Sequence, residues 1–352
     1  MKILSIVGAR PQFIKLATLS RKLREQFEEK IIHTGQHYNQ EMSSLFFKEL
    51  EIPEPDYNLG IQGGNHGEQT GKMLIRLEEI LVNEKPDMVI VFGDTNSTLA
   101  GSLASTKLGI KTVHVEAGLR SFNPSMPEEI NRIVADHTSD YLFAPTQTAM
   151  KNLEDENLVS KSNLTGDIMV DSLKSAIEKL EKEKKQNIYK NKFEKYYLLT
   201  LHRPYNVDNS SNLSGIFNEL SKLSQQVIFP IHPRTHKIII NNYLKIPDNF
   251  TIINPVGYLD FVMLEMYADK IITDSGGIQK EAYILKKPCI TLRSETEWLE
   301  TVQAGWNLLI NPLNTNNYCQ IIESFNPNEN YLPIFGDNVA DKMNTLISNY
   351  TK

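Results

Sequence analysis

A chain of 352 residues exceeds the roughly 250 to 300 residues that one hydrophobic core usually organises, so two domains are expected. Hydrophobic residues make up 40% and charged residues 23%, which excludes a disordered or fibrous chain, and a formal charge of -6 argues against a general affinity for nucleic acid, which needs a basic surface. Cys289 and Cys319 are too few for a disulfide framework or a Cys-based zinc site and read as core thiols; no run approaches the roughly 20 apolar residues that cross a bilayer, so a soluble, cytoplasmic protein with no membrane partner is expected.

Short apolar runs alternate with amphipathic stretches in the first half: ILSIVG at 3–8, KIIHTG at 30–35, MVIVFG at 88–93 and KTVHVEAG at 111–118. Glycine-bounded runs of this kind predict parallel strands in βαβ units, with helices over 12–27, 67–84 and 96–107, where apolar residues recur at three- and four-residue spacing. Residues 1–170 therefore read as a Rossmann-like domain. The strongly charged stretch 172–195 predicts a surface helix and a domain boundary. Strand-like runs restart at 196–202, 226–232, 250–256, 270–276 and 288–293, giving a second Rossmann-like domain over 171–335, and a last helical stretch lies near 339–349. The expected fold class is α/β, with two Rossmann-like domains facing a central cleft. Ligands of open α/β sheets sit beyond the carboxyl ends of the strands, which points to Arg10, His33, Asp94, Glu116, His202, His232 and Asp274.

Among these strand ends, DSGG at 274–277 precedes a helical stretch. Its glycines allow close backbone approach, Ser275 can cap the helix, and the N–H groups at the helix start favour a phosphate; the plainer reading is a helix cap in a tight turn. Glu281, one helical turn past Gly277, is either within reach of a ribose diol or a solvated helix charge. Arg10, just before Pro11, suits a diphosphate, although a surface arginine near a turn is the plainer reading. Asp94 is either an acid–base carboxylate or the N-cap of the helix beginning near 96. Glu116 has no evident capping role, and Arg120 is the nearby group able to neutralise it. Glu128 and Glu129 open a further helix, where carboxylates often serve only the helix dipole. Three acidic segments converging would suit proton transfer, because crowded, buried carboxylates hold their protons nearer to neutrality. His202 with Arg203, and His232 with Arg234, suit stabilisation of a diphosphate leaving group, each histidine being equally open to a structural role. His33, His37, His66 and His114 lack metal-ligand spacing, so no metal is expected. Trp298, Trp306 and Tyr258 read as core or wall aromatics.

GARPQFIK at 8–15, HTGQHY at 33–38, GDTNSTLAG at 93–101, HVEAGLR at 114–120, PEEINR at 127–132, HR at 202–203, HPRT at 232–235 and TDSGGIQKEA at 273–282 together carry a resemblance. In order and spacing the chain resembles the non-hydrolysing UDP-N-acetylglucosamine 2-epimerases along nearly its whole length. The resemblance implies a glycosyltransferase-B fold whose C-terminal helix, here within 336–352, returns to the first domain. It also implies a homodimer without cofactor that interconverts UDP-GlcNAc and UDP-ManNAc for cell-surface polysaccharide precursors. The reaction so implied is anti elimination of UDP to a 2-acetamidoglucal, then re-addition to the opposite face. By matching motif positions, Asp94, Glu116 and Glu128 are the implied acid–base carboxylates and His202 the catalytic or UDP-stabilising histidine. Arg10, Ser275, Gly276, Gly277 and Glu281 are implied UDP contacts, with His232 and Arg234 in the same cleft.

Two departures bear on the substrate. The family often continues the His-Arg pair with Ala-Glu-Asn or Arg-Glu-Asn, whereas Pro204, Tyr205 and Asn206 follow here. GARPQFIK and ETEWLETVQAGWN at 295–307 are similar to the branch acting on UDP-2,3-diacetamido-2,3-dideoxyglucuronate, where UDP-GlcNAc enzymes commonly read GTRPE and TERPE. The diacetamido-uronate is thus the first expectation and UDP-GlcNAc the second. The rival readings are a glycosyltransferase of the same fold, a hydrolysing epimerase releasing ManNAc and UDP, and a UDP-sugar sensor; three acidic segments favour epimerisation. Gln36, His37 and His66 lie in regions open to a second, regulatory UDP-sugar site.

Overall fold

The computed structural model describes residues 1–36, 46–183, 193–327 and 330–350. The chain divides into two compact units, Met1–Ser175 with Ile334–Lys352, and Ala176–Pro333. The break falls inside the helix Met169–Lys182, the charged helix expected over 172–195.

In the first unit, β1 (Lys2–Val7), β2 (Glu28–His33), β3 (Tyr57–Asn58), β4 (Met88–Phe92), β5 (Lys111–Val115), β6 (Tyr141–Ala144) and β7 (Ser162–Leu164) form one parallel sheet. Its order is β3-β2-β1-β4-β5-β6-β7. Every residue of β4 is buried, as a strand covered on both faces requires. Leu4, Ile6, Ile32, Val89 and Val91 of the sheet form a core with Met73, Leu77 and Ile80 of the helix His66–Glu84. The helix expected over 12–27 runs instead over Arg10–Leu23. It starts early because Pro11 fits a first turn and the Gln12 side chain accepts the Gly8 and Ala9 N–H groups, at 2.7 and 3.0 Å. The helix Val339–Asn349 packs on Arg10–Leu23; Lys22 pairs with Asp341 at 2.9 Å, and Tyr350 stacks on Tyr141 at 3.6 Å.

The second unit repeats the plan with six parallel strands: β8 (Tyr196–Thr200), β9 (Gln226–Pro230), β10 (Phe250–Ile253), β11 (Lys270–Thr273), β12 (Cys289–Thr291) and β13 (Asn307–Leu309). The order β10-β9-β8-β11-β12-β13 is that of a doubly wound Rossmann sheet. Leu199, Phe217, Phe229, Ile272 and Ile290 anchor its larger core, and both cysteines are buried free thiols. No described helix is long and apolar enough to cross a membrane.

Candidate active site

Where the strand order of such a sheet reverses, the loops at the carboxyl ends diverge and leave a crevice for ligands. The reversal lies between β1 and β4 in the first unit and between β8 and β11 in the second.

At the first reversal, Gly8 follows β1 because nothing larger fits: a Cβ there would lie 2.0 Å from Thr34 Oγ1 and 2.3 Å from Ser97 Oγ. Gln12 then fastens β1 to β4, donating from Nε2 to the Phe92 carbonyl at 2.7 Å. Arg10 opens the helix, its guanidinium 4.3 Å over the Phe46 ring. The strand expected over 111–118 stops at Val115, because Glu116 turns into the left-handed region at φ 73°. Its N–H and that of Ala117 both donate to the Phe143 carbonyl, at 3.1 and 3.0 Å, which holds the bend. A non-glycine residue held in that region costs on the order of 1 to 3 kcal/mol, and such strain gathers at functional sites.

The strained Glu116 carboxylate meets Lys15 Nζ at 2.6 Å, both side chains being less than a tenth exposed. Asp94 meets Arg132 at 2.5 Å, and its carbonyl accepts from Asn131 Nδ2 at 2.9 Å. Two expectations are corrected here. Thr95, not Asp94, caps the helix Asn96–Lys107, its hydroxyl accepting from Thr98 N. Arg120 does not neutralise Glu116 but pairs with Asp136 at 2.7 Å and Glu156 at 2.6 Å. Asp94 and Glu116 thus each have a buried cation. Beneath them, His114 bridges Asp136 (Nδ1, 2.7 Å) and the Gly93 carbonyl (Nε2, 2.7 Å), tying β5 to the turn that carries Asp94. Burial alone would raise the Asp136 carboxyl, but His114 and Arg120 together hold it below the ordinary aspartate range.

Glu128 and Glu129 lie in the first turn of the helix Pro127–Thr138 and part company. Glu129 is buried, accepts the Ser121 and Phe122 N–H groups at 2.9 Å each and pairs with Arg132, so it is structural. Glu128 is half-buried, and its side chain has no hydrogen bond or ion pair among the described residues. Gln36 accepts from Ser97 N at 2.9 Å, and His66 meets Asn96 at 3.2 Å, so both serve the start of Asn96–Lys107; His37 lies outside the described residues.

At the second reversal Asp274, fully buried, is a hub. It accepts from His202 N (3.1 Å), Arg203 N (3.0 Å) and Asn206 Nδ2 (3.1 Å), and faces His202 Nδ1 at 3.2 Å. Asn206, which keeps the Asn of the family pattern while Pro204 and Tyr205 depart from it, thereby has a structural duty; it also donates to the Leu292 carbonyl at 3.0 Å. With Nδ1 on Asp274, the His202 Nε2 edge is the one left for a ligand. His202 titrates below the ordinary histidine range: burial is the main cause, Asp274 opposes it, and Arg203, Arg234 and Arg293 add to it.

Ser275 holds the N-cap position of the helix Gly276–Ile284, but its side chain makes no capping bond, contrary to expectation. Gly276 is packed: a Cβ would lie 2.4 Å from Glu297 Oε1, whereas Gly277 is exposed with nothing closer than Ser275 Oγ at 3.9 Å. Glu281 is 5% exposed, which removes the reading of a solvated helix charge. His232 caps Pro233–Asn241 by accepting Arg234 N at 3.2 Å, and its ring lies 5.9 Å from that of His202. The Arg234 guanidinium is turned to Asp208, at 2.8 Å from Nε. The segment 295–307 is fastened to the helix Gly276–Ile284 through Gln279, whose Oε1 accepts from Thr296 Oγ1 (2.6 Å) and Asn307 Nδ2 (3.0 Å).

Sequence reasoning passed over Lys15, Arg132, Asn131, Asp274 as a hub, and Arg293, which is 3% exposed and pairs with Glu297 at 2.9 Å. Lys15 offered a signal: a lysine inside the apolar run Phe13, Ile14, Leu16 belongs on a buried face and needs an anionic partner.

The family model described as UDP-N-acetylglucosamine 2-epimerase matches residues 21–342. A UDP-N-acetylglucosamine 2-epimerase homolog of Methanococcus maripaludis is 53% identical over 351 residues, 96% of each chain. The UDP-2,3-diacetamido-2,3-dideoxy-D-glucuronate 2-epimerase of Pseudomonas aeruginosa is 46% identical over 318 residues, 88% of each. The solved structure of Methanocaldococcus jannaschii UDP-GlcNAc 2-epimerase in complex with UDP-GlcNAc and UDP is 46% identical, with a TM-score of 0.92, covering 99% of this chain and 100% of that one. With two doubly wound sheets and likeness along nearly its full length, the chain belongs to the UDP-N-acetylglucosamine 2-epimerase family.

Proposed function

We propose that the chain is a non-hydrolysing UDP-sugar 2-epimerase that inverts C2 of a UDP-2-acetamido sugar. The observation that carries this reading is the pair Asp94 and Glu116 at neighbouring strand ends, each held by a buried cation and Glu116 in left-handed backbone, in a chain of this family. A carboxylate of the set Asp94, Glu116 and Glu128 takes the proton from C2. The bond from C1 to the β-phosphate oxygen breaks, its electron pair leaves with UDP, and C1 and C2 become the double bond of a 2-acetamidoglucal. UDP then re-adds at C1 while a proton is delivered to the opposite face of C2, so the cycle is redox-neutral.

Ser275, Gly276 and Gly277 are assigned to the phosphates through the open helix start, Glu281 to the ribose, and Arg10, His232 and Arg234 to the diphosphate, Arg234 after leaving Asp208. The crowd of arginines supports His202 as the group that stabilises the departing UDP. A diphosphate neutralises Arg203 and Arg293, which removes their opposition to the imidazolium. The enzyme is assigned to the cytoplasm as a homodimer supplying polysaccharide precursors.

The motifs at 8–15 and 295–307 support the diacetamido-uronate as substrate, and the likeness to the Pseudomonas enzyme is consistent with it. Side-by-side incubation with UDP-2,3-diacetamido-2,3-dideoxyglucuronate and UDP-GlcNAc, followed by NMR, is expected to give the manno epimer of the first faster, with UDP retained in UDP-sugar. Accumulation of free UDP and free sugar would sink the non-hydrolysing assignment. Faster turnover of UDP-GlcNAc would reverse the choice of sugar.

A further inference from the structure

Two helices of the second unit face each other through three polar side chains. Tyr258 and Glu265 are seven residues apart on the helix Tyr258–Tyr267 and so share one of its faces. Both lie within electrostatic reach of the Glu281 carboxyl on the helix Gly276–Ile284. Tyr258 is 3% exposed, Glu281 5% and Glu265 0%. Leu264, Ala268, Ile271 and Ala282 belong to the apolar core around them.

No N–H or O–H among the described residues donates to either Glu265 oxygen, and neither oxygen reaches solvent. Two carboxyl groups in contact and away from water cannot both be ionised. The proton belongs on Glu265, which is wholly buried and whose oxygens receive no donor; the charge belongs on Glu281. Burial first, then the neighbouring Glu281, push Glu265 well above the usual carboxylate range. The Cys289 thiol, also facing Glu265, is pushed up to about 12 mainly by burial and brings no charge.

We propose that Glu265 is a positioning residue: kept as the neutral acid, it donates to one Glu281 oxygen and, with Tyr258, aims the Glu281 carboxylate at the ribose hydroxyls of the nucleotide. The inference rests on reading Glu281 as the ribose contact, and its test separates the two. Titration calorimetry of the full chain with UDP and with 2′,3′-dideoxy-UDP reads the effect. Glu265→Leu weakens UDP about tenfold or more, the scale of a hydrogen bond to a charged acceptor, and leaves dideoxy-UDP binding unchanged. Glu265→Gln, whose amide still donates, stays within about threefold of wild type for both ligands. In difference infrared spectra at neutral pH, wild type shows the carbonyl band of a protonated carboxylic acid that Glu265→Gln lacks. Unchanged UDP affinity in Glu265→Leu, with loss in Glu281→Ala, overturns the proposal and leaves the ribose reading standing. Unchanged affinity in Glu281→Ala overturns both. Should Glu265→Leu fail to fold, absence of the acid band in wild type overturns the proposal by itself.

Discussion

Glu116→Leu separates the structural from the chemical duty of the strained carboxylate. Lys15 is 5% exposed, and Glu116 is the group that partners its ammonium, at 2.6 Å. Leucine and glutamate both carry a single heavy substituent on Cβ, so the cost of the 73° φ is common to both and drops out of the difference. What remains is a stranded buried charge. Breaking a buried pair from one side costs about 3 to 5 kcal/mol, and the lower end applies because the lysine stem can carry its head toward water. About 3 kcal/mol is two powers of ten, so amide exchange of β4 and β5 through opening of the first unit should accelerate about a hundredfold. Hydrogen exchange read by mass spectrometry measures this. Adding Lys15→Met removes the stranded charge and should restore most of the protection, while turnover stays absent in both variants. Exchange within about threefold of wild type in Glu116→Leu, or no recovery in the double variant, refutes the reasoning.

Gly276→Ala drives a methyl to 2.4 Å from Glu297 Oε1 and should lower the stability of the second unit by about 1 to 3 kcal/mol, read from its thermal transition. Gly277→Ala has room in the free protein and should keep that stability yet bind UDP more weakly; unchanged affinity would remove the phosphate from this helix start. Arg10→Ala should weaken UDP about tenfold in calorimetry, and an unaltered affinity would count against its diphosphate role. His33, stacked on Phe13, is lowered by burial from 6.5 to about 4. The unfolded chain therefore binds the extra proton between those values, so the stability linked to His33 is complete above about pH 6.5 and lost toward pH 4, up to about 3 kcal/mol. His33→Phe should flatten that part of the stability profile, and an unchanged slope would show that other groups cause it.

The architecture was legible because parallel strands covered on both faces must be continuous apolar runs, as MVIVF of β4 and KIIT of β11 are. Short edge strands such as β3, with two residues, and β7, with three, carry no such run and went unread. Strand ends were overrun wherever polar groups finish the turn: β5 ends before Glu116 because two N–H groups there converge on one carbonyl, which no pattern of hydrophobicity encodes. Asp94, Glu116 and His202 were found because they follow such runs. Asp274 was singled out in the same way, but its bond to His202 was not read, nor were the partners Lys15 and Arg132, since such pairs join residues distant in sequence: 101 residues separate Lys15 from Glu116. Asp274 shows the limit best. It heads the motif read as nucleotide-binding, yet its carboxylate is consumed in fixing His202, Arg203 and Asn206.

On the proposed mechanism, inversion passes through removal of the C2 proton and loss of UDP. Epimerisation run in deuterated water, with the product followed by NMR, tests it most directly. Deuterium is expected at C2 of the product epimer; a product that keeps the substrate's own hydrogen at C2 would contradict removal of the C2 proton.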